Sequence, residues 1–224
     1  MRRLSLDKPL ALLIAILVIG GSLIFASAAF GLLARGSQGM TSVFFSHLVL
    51  GIGVGLALLT LTCNIEYRIW RRYAPYLFGA ALIATALVFV PHLGAEYGGG
   101  RRWIIIFGMS FQPSEALKIA TIIVSAAYFA GIRGKVESTL YGLGGYVCIM
   151  ALPVALLVAQ PDIGTLGIIA ISSLSIFWVS GARKRDILLL AVIGLLAIGI
   201  LAAIKPYVRD RVETFFNPSQ GAQA

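Results

Sequence analysis

Seven apolar runs, each close to twenty residues long, leave this chain almost no choice of solvent. They cover about Leu10–Leu33, Val43–Cys63, Ala74–Val90, Pro113–Ala130, Leu140–Ala159, Ile163–Ser180 and Ile187–Ile204. A helix of about 20 apolar residues crosses the hydrocarbon core of a bilayer. Inside that core each backbone N–H and C=O must find a partner within the protein, which leaves helices or closed barrels. The runs are too long for barrel strands and lack their alternation. The expected fold is therefore an all-α polytopic membrane protein of about seven transmembrane helices, with residues 1–224 as one transmembrane domain. Composition agrees: 59% of residues are hydrophobic, 12% are charged and mean hydropathy is +0.94. A soluble domain has a very different balance.

Arg2, Arg3 and Lys8 precede the first run, and Ala26-Ser27-Ala28 resembles a signal-peptide cleavage site. The run is longer than a signal core and six more follow it, so an uncleaved first span is expected. Basic residues in the loops set orientation. With the N-terminus cytoplasmic, eleven fall inside: Arg2, Arg3, Lys8, Arg68, Arg71, Arg72, Arg133, Lys135, Arg183, Lys184 and Arg185. Six fall outside: Arg35, Arg101, Arg102, Lys205, Arg209 and Arg211. This bias places the net charge of +9 beside anionic lipid headgroups. A nucleic-acid surface would need soluble mass that the sequence lacks.

Several residues that often carry chemistry carry little here. Cys63 and Cys148 lie in or at the end of apolar runs, where cysteine acts as a small hydrophobe. His47 and His92 are isolated, and no spacing suggests a metal site. Gly51-Ile52-Gly53-Val54-Gly55 has the small-residue spacing that lets helices approach closely, a common pattern.

Two motifs are more informative. Gln112-Pro113-Ser114-Glu115 with Lys118 opens the fourth run, and Gln160-Pro161-Asp162-Ile163-Gly164-Thr165 opens the sixth. Proline suits the first helical position, and a carboxylate in the first turn meets the positive end of the helix dipole. Both motifs therefore read as helix starts, with Gln112 and Gln160 at the cap and Glu115 and Asp162 in the first turn. The topology puts both starts on the outer side. Lys118 lies one turn beyond Glu115 on the same face, so the two should pair and face the bundle interior. One reading is a structural ion pair; the other is an outward polar pocket for a charged or polyhydroxylated ligand. Spacing does not separate them.

The loop Gly94–Phe111 contains Gly98-Gly99-Gly100-Arg101-Arg102-Trp103. Flexible glycines before two arginines and an indole suit a site at headgroup depth, where guanidinium groups bind phosphate. An interfacial anchor is the plainer reading. It accounts poorly for two arginines on the less favoured side of the membrane.

Taken together, these motifs resemble the SEDS family (shape, elongation, division and sporulation). The resemblance rests on Gly100-Arg101-Arg102-Trp103-Ile104, then Phe111-Gln112-Pro113-Ser114-Glu115 with Lys118, then Gln160-Pro161-Asp162-Ile163-Gly164-Thr165, in that order. Arg211 and Phe216-Asn217-Pro218 follow the last run as in the family. The double arginine and the Phe-Asn-Pro ending resemble its FtsW branch more than its RodA branch. The resemblance implies a peptidoglycan glycosyltransferase that polymerises lipid II on the outer face of the bacterial cytoplasmic membrane, at the division septum. It implies a monofunctional class B penicillin-binding transpeptidase as partner, along with other divisome membrane proteins. Arg101, Arg102, Trp103, Gln112, Ser114 and Gln160 are then substrate-binding candidates, with Glu115, Lys118 and Asp162 supporting. A divalent cation, Mg or Mn, would suit the departing pyrophosphate, although no motif for one is present.

The family has about ten spans, and its presumed catalytic aspartate lies in an outer loop after the seventh. This sequence ends at Gly221-Ala222-Gln223-Ala224 without that loop. It therefore reads as the N-terminal portion of a SEDS-like bundle, with no catalytic residue of its own and inactive alone. A lipid II flippase is the alternative that the same polar pocket would suit.

Overall fold

The computed structural model describes residues 7–34, 51–91, 93–97, 100–106, 109–205 and 209. His47, His92, Gly98, Gly99 and the segment around Phe216-Asn217-Pro218 lie outside them. The chain divides into two compact units, Met1–Glu66 and Tyr67–Ala224.

The first unit holds α1 (Lys8–Ala34) and α2 (Val54–Cys63). Asp7 opens α1, its Oδ1 accepting from the Leu10 backbone N–H at 3.1 Å. Such a side-chain cap satisfies one of the donors that a helix start leaves open. No polar stripe follows. Leu17 and Ile24 are each 74% exposed, as on a helix whose solvent is lipid. Asn64 closes α2 by donating from Nδ2 to the Thr60 carbonyl at 2.7 Å.

In the second unit α3 (Tyr67–Leu87) starts seven residues before its apolar run, because Arg68, Arg71 and Arg72 fit a helix end as well as a loop. A three-stranded antiparallel sheet follows: β1 (Gly94–Tyr97), β2 (Gly100–Ile106) and β3 (Met109–Phe111), in that order. Ile104 pairs with Gly94 on one side and with Phe111 on the other. The segment expected to be a flexible loop is thus a small meander. Gly94 is required at its entrance, since a Cβ there would lie 2.1 Å from the Val88 carbonyl oxygen.

Then come α4 (Pro113–Gly131), α5 (Gly144–Ala159) entered through a π-helical turn at Thr139–Leu143, α6 (Ile163–Val179) and α7 (Lys184–Ile204). The core lies where α4, α5 and α6 meet. Phe177 sits 5.0 Å from the ring of Phe129 and 5.4 Å from that of Tyr146. Leu117, Leu157 and Ile169 are fully buried around them. Gly145 lets α5 approach α4, since a Cβ there would fall 2.3 Å from the Tyr128 hydroxyl.

The turn from α6 to α7 follows directly from its glycine. Gly181 has φ +95°, its N–H reaches the Trp178 carbonyl and the Ala182 N–H reaches that of Phe177. These two bonds make the Schellman closure, which favours glycine at this position. Asp186 lies in the first turn of α7, buried beside Arg185.

Seven helices thus stand, among the described residues, where the seven apolar runs are. Lys8–Phe30, Pro113–Gly131, Thr139–Ala159 and Lys184–Ile204 are long and apolar enough to cross a membrane by length and composition. Ile163–Val179 is apolar but shorter.

Candidate functional site

The motif residues meet at one end of the second unit, and each supplies what another element's end lacks. A helix leaves its first N–H groups and last carbonyls without partners, and in lipid no water replaces them. Gln112 is the N-cap of α4, in extended conformation, with Pro113 in the first turn. This is the helix start expected. Its side chain, however, makes no cap bond to its own helix. Instead Gln112 Nε2 donates to Asp162 Oδ2 at 3.2 Å and to Ser114 Oγ at 3.0 Å. Ser114 Oγ donates to the same Asp162 oxygen at 3.2 Å. The starts of α4 and α6 therefore lie side by side, as the paired motifs suggested.

The second motif differs from the expected register. Gln160 closes α5, and Asp162, rather than residing in the first turn, is itself the N-cap of α6. Aspartate is a strong N-cap residue, and its Oδ1 accepts from the Thr165 N–H at 3.4 Å. Pro161 stands between the helices, with the Asp162 N–H bonded back to the Leu157 carbonyl at 2.8 Å. That bond places Pro161 where a Schellman closure usually has glycine, and its φ is +27°.

Two side chains from elsewhere secure the corner. Gln160, 2% exposed, donates from Nε2 to the Thr85 carbonyl at 2.7 Å, satisfying one of the last carbonyls of α3. Arg102 donates from Nε to the Gln160 carbonyl at 3.3 Å and from Nη2 to the Pro161 carbonyl at 2.7 Å. Arg102 can do so because it sits at a bulge in β2: Trp103 pairs with Ala95 and Arg101 with Glu96, leaving Arg102 between them, and a bulge re-aims a side chain. Arg102 is half-buried, whereas Arg101 and Ile105 are exposed. The two arginines, similar in sequence, thus occupy different surroundings. Trp103 is half-buried.

Lys118 and Glu115 form the expected pair, with Nζ 2.9 Å from Oε2. Their surroundings are unequal: Lys118 is 21% exposed and Glu115 55%. The lysine lies inward and the carboxylate lies at the rim, so the interior placement holds for Lys118 and not for Glu115. Asp162, at 4% exposed, is the buried carboxylate of this end.

Thr85 lies outside the motifs, and Thr165 stands within one without an assigned role. Thr165 was legible as the third residue after a capping aspartate. Thr85 contributes only its carbonyl, which no side-chain pattern signals. A divalent cation fits these residues poorly. Asp162 Oδ2 already accepts two hydrogen bonds, Glu115 is engaged by Lys118, and among the described residues no three His, Cys, Asp or Glu gather as a cage.

Comparison with known proteins identifies the family. The family model for FtsW, RodA and SpoVE, described as cell cycle protein, matches residues 8–224. The chain belongs to this family. Among curated relatives, the probable peptidoglycan glycosyltransferase FtsW of Coxiella burnetii is 28% identical over 198 residues, 88% of this chain and 53% of that protein. Its namesake in Aromatoleum aromaticum is 29% identical over 214 residues, covering 92% and 51%. The chain spans about half the length of the curated relatives it matches. A solved structure described as coordinating polymerization and crosslinking in a peptidoglycan synthase complex superposes with TM-score 0.64 at 27% identity, covering 89% of this chain and 59% of that one. Rod shape determining protein RodA of Thermus thermophilus gives 0.59 at 25% identity, covering 81% and 58%. The SEDS resemblance and the polytopic helical membrane architecture both stand.

Proposed function

We propose that this chain forms part of a peptidoglycan glycosyltransferase that polymerises lipid II on the outer face of the bacterial cytoplasmic membrane during septal wall synthesis. The observation that carries the reading is the convergence of all three motifs at one end of the bundle, around Asp162 and Arg102. The names of the FtsW relatives support it over a flippase. The basic bias of the loops supports a cytoplasmic N-terminus, which puts the motif end outside.

In this reading the side chains divide into two groups. Gln112, Ser114, Gln160, Arg102 and Asp162 position the helix starts and the sheet. Arg101, Trp103 and the Glu115–Lys118 pair form the rim that meets substrate. Glycosyl transfer needs a base for the acceptor hydroxyl and positive charge for the leaving pyrophosphate. Lys118 and Arg101 supply positive charge, and no residue of this chain is assigned as the base. A divalent cation, Mg or Mn, would enter with the pyrophosphate. A class B penicillin-binding transpeptidase is the proposed partner; the peptidoglycan synthase complex that the fold resembles is described as coordinating polymerization with crosslinking, which supports a crosslinking partner.

The test supplies purified lipid II and the transpeptidase to the gene's complete product in liposomes. Glycan chains whose formation slows in Lys118→Ala support the reading. Translocation of lipid II without polymer, at the wild-type rate in that variant, would replace it with the flippase.

A further inference from the structure

The opposite end of the same helices carries a second feature, unrelated to the motifs. A cavity of about 480 Å³ lies between the closing turns of α4 and α6. Its floor is Phe129, 1% exposed, and its walls include Ala130, Ile176 and Val179. Ala126 and Ala130, one turn apart on α4, leave the groove its width. The side is open: Val179 is 87% exposed. Ser175 and Ser180 also line it, but each hydroxyl donates to a carbonyl of its own helix, from Ser175 to Ile171 and from Ser180 to Ile176. The polar group left at the mouth is Arg133, exposed and with no ion pair or hydrogen bond to a described residue.

The surroundings extend that charge. Lys135 follows in the turn after α4, and Arg183, Lys184 and Arg185 follow α6. Against them stand Glu137, exposed, and Asp186, buried. An apolar slot on a membrane-facing surface, with a cation at its mouth inside a basic collar, has the chemistry of an anionic phospholipid site. Water-soluble anions would gain nothing from the apolar walls, and a zwitterionic lipid would gain less from the collar.

We propose that this groove seats one anionic phospholipid, with an acyl chain along Phe129, Ala130, Ile176 and Val179 and its phosphate on Arg133. The site lies at the far end of α4 and α6 from the motif cluster and does not depend on the reading of that cluster.

Trp178, 63% exposed and adjacent to Val179, provides a local reporter. The chain has three tryptophans, so Trp70→Phe with Trp103→Phe leaves Trp178 alone. That variant is reconstituted in phosphatidylcholine bilayers holding increasing fractions of brominated-chain phosphatidylglycerol or brominated-chain phosphatidylcholine. At equal fraction the phosphatidylglycerol should compete for Trp178 about threefold better at low salt, with the preference shrinking as salt screens the collar. Arg133→Gln, an exposed change, should abolish the preference. Ala130→Phe, which fills the slot and keeps Arg133, should abolish it too. Equal quenching by the two lipids would overturn the proposal. So would a preference that survives Arg133→Gln. A preference that survives Ala130→Phe would show surface attraction to the collar without a seated chain, and would also overturn it.

Discussion

The two Gln-Pro motifs share their first two letters and part company in space. Gln112-Pro113 begins a helix after a strand, whereas Gln160-Pro161 ends one helix before the next begins. What precedes each motif accounts for the difference. Before Gln112 the chain is extended in β3, so the helix has nothing to continue. Before Gln160 an apolar helix is already running and carries on through Ala159 to the proline. The carboxylates diverge with the register. Glu115, in the first turn of α4, sits at the rim; Asp162, one position before its helix, is buried and joins two helix starts.

That contrast can be broken by substitution. The largest effect should come from Asp162→Ala, which leaves Gln112, Ser114 and the Thr165 N–H facing a void. Each lost partner of a buried polar group costs about 1–3 kcal/mol, and a lost N-cap about 1. A total of about 3 kcal/mol should appear as a clear drop in thermal midpoint in detergent. Melting of Asp162→Ala like wild type would remove the distinction between the two carboxylates.

Next in size is the pair of arginines. Arg102→Ala uncovers the Gln160 and Pro161 carbonyls and should cost about 2 kcal/mol. Arg101→Ala should cost less, about 1 kcal/mol at most, as for a solvent-screened contact at an exposed position. Equal losses in denaturation midpoint would contradict the different surroundings of the two side chains on β2. Gln160→Ala should then cost about 1–2 kcal/mol through the bond to Thr85, more than Gln112→Ala, whose partner Asp162 keeps Ser114. The reverse order would mean that the α3 contact matters less than the bridge between α4 and α6. Smallest is Glu115→Ala, at about 0.5 kcal/mol or less, since its partly exposed pair is screened. Its effect should appear in polymerisation by the complete enzyme rather than in melting; a midpoint shift matching that of Asp162→Ala would reverse this assignment.

The helices were legible because apolar runs of bilayer length have few other uses. Motif order and the closeness of the two helix starts were legible for the same reason: helices of fixed length bring their ends to fixed sides. The sheet was not, since Arg101-Arg102-Trp103-Ile104-Ile105-Ile106 has no polar–apolar alternation. Its two faces meet different surroundings without one being fully apolar. The register at Asp162 departs from the expected one because Gln160-Pro161 matches Gln112-Pro113 in letters only, while Asp162 with Thr165 carries the capping signal. Contacts made through carbonyls, such as that of Thr85, leave no trace in residue type.

Arg102 gives the corner between α5 and α6 a history as well as a geometry. It precedes Gln160 by 58 residues and Pro161 by 59. At about 5–20 residues per second, it leaves the ribosome several seconds before them. The carbonyls of a proline-bearing corner therefore arrive where a donor already exists, and need not wait unpaired for one to be made.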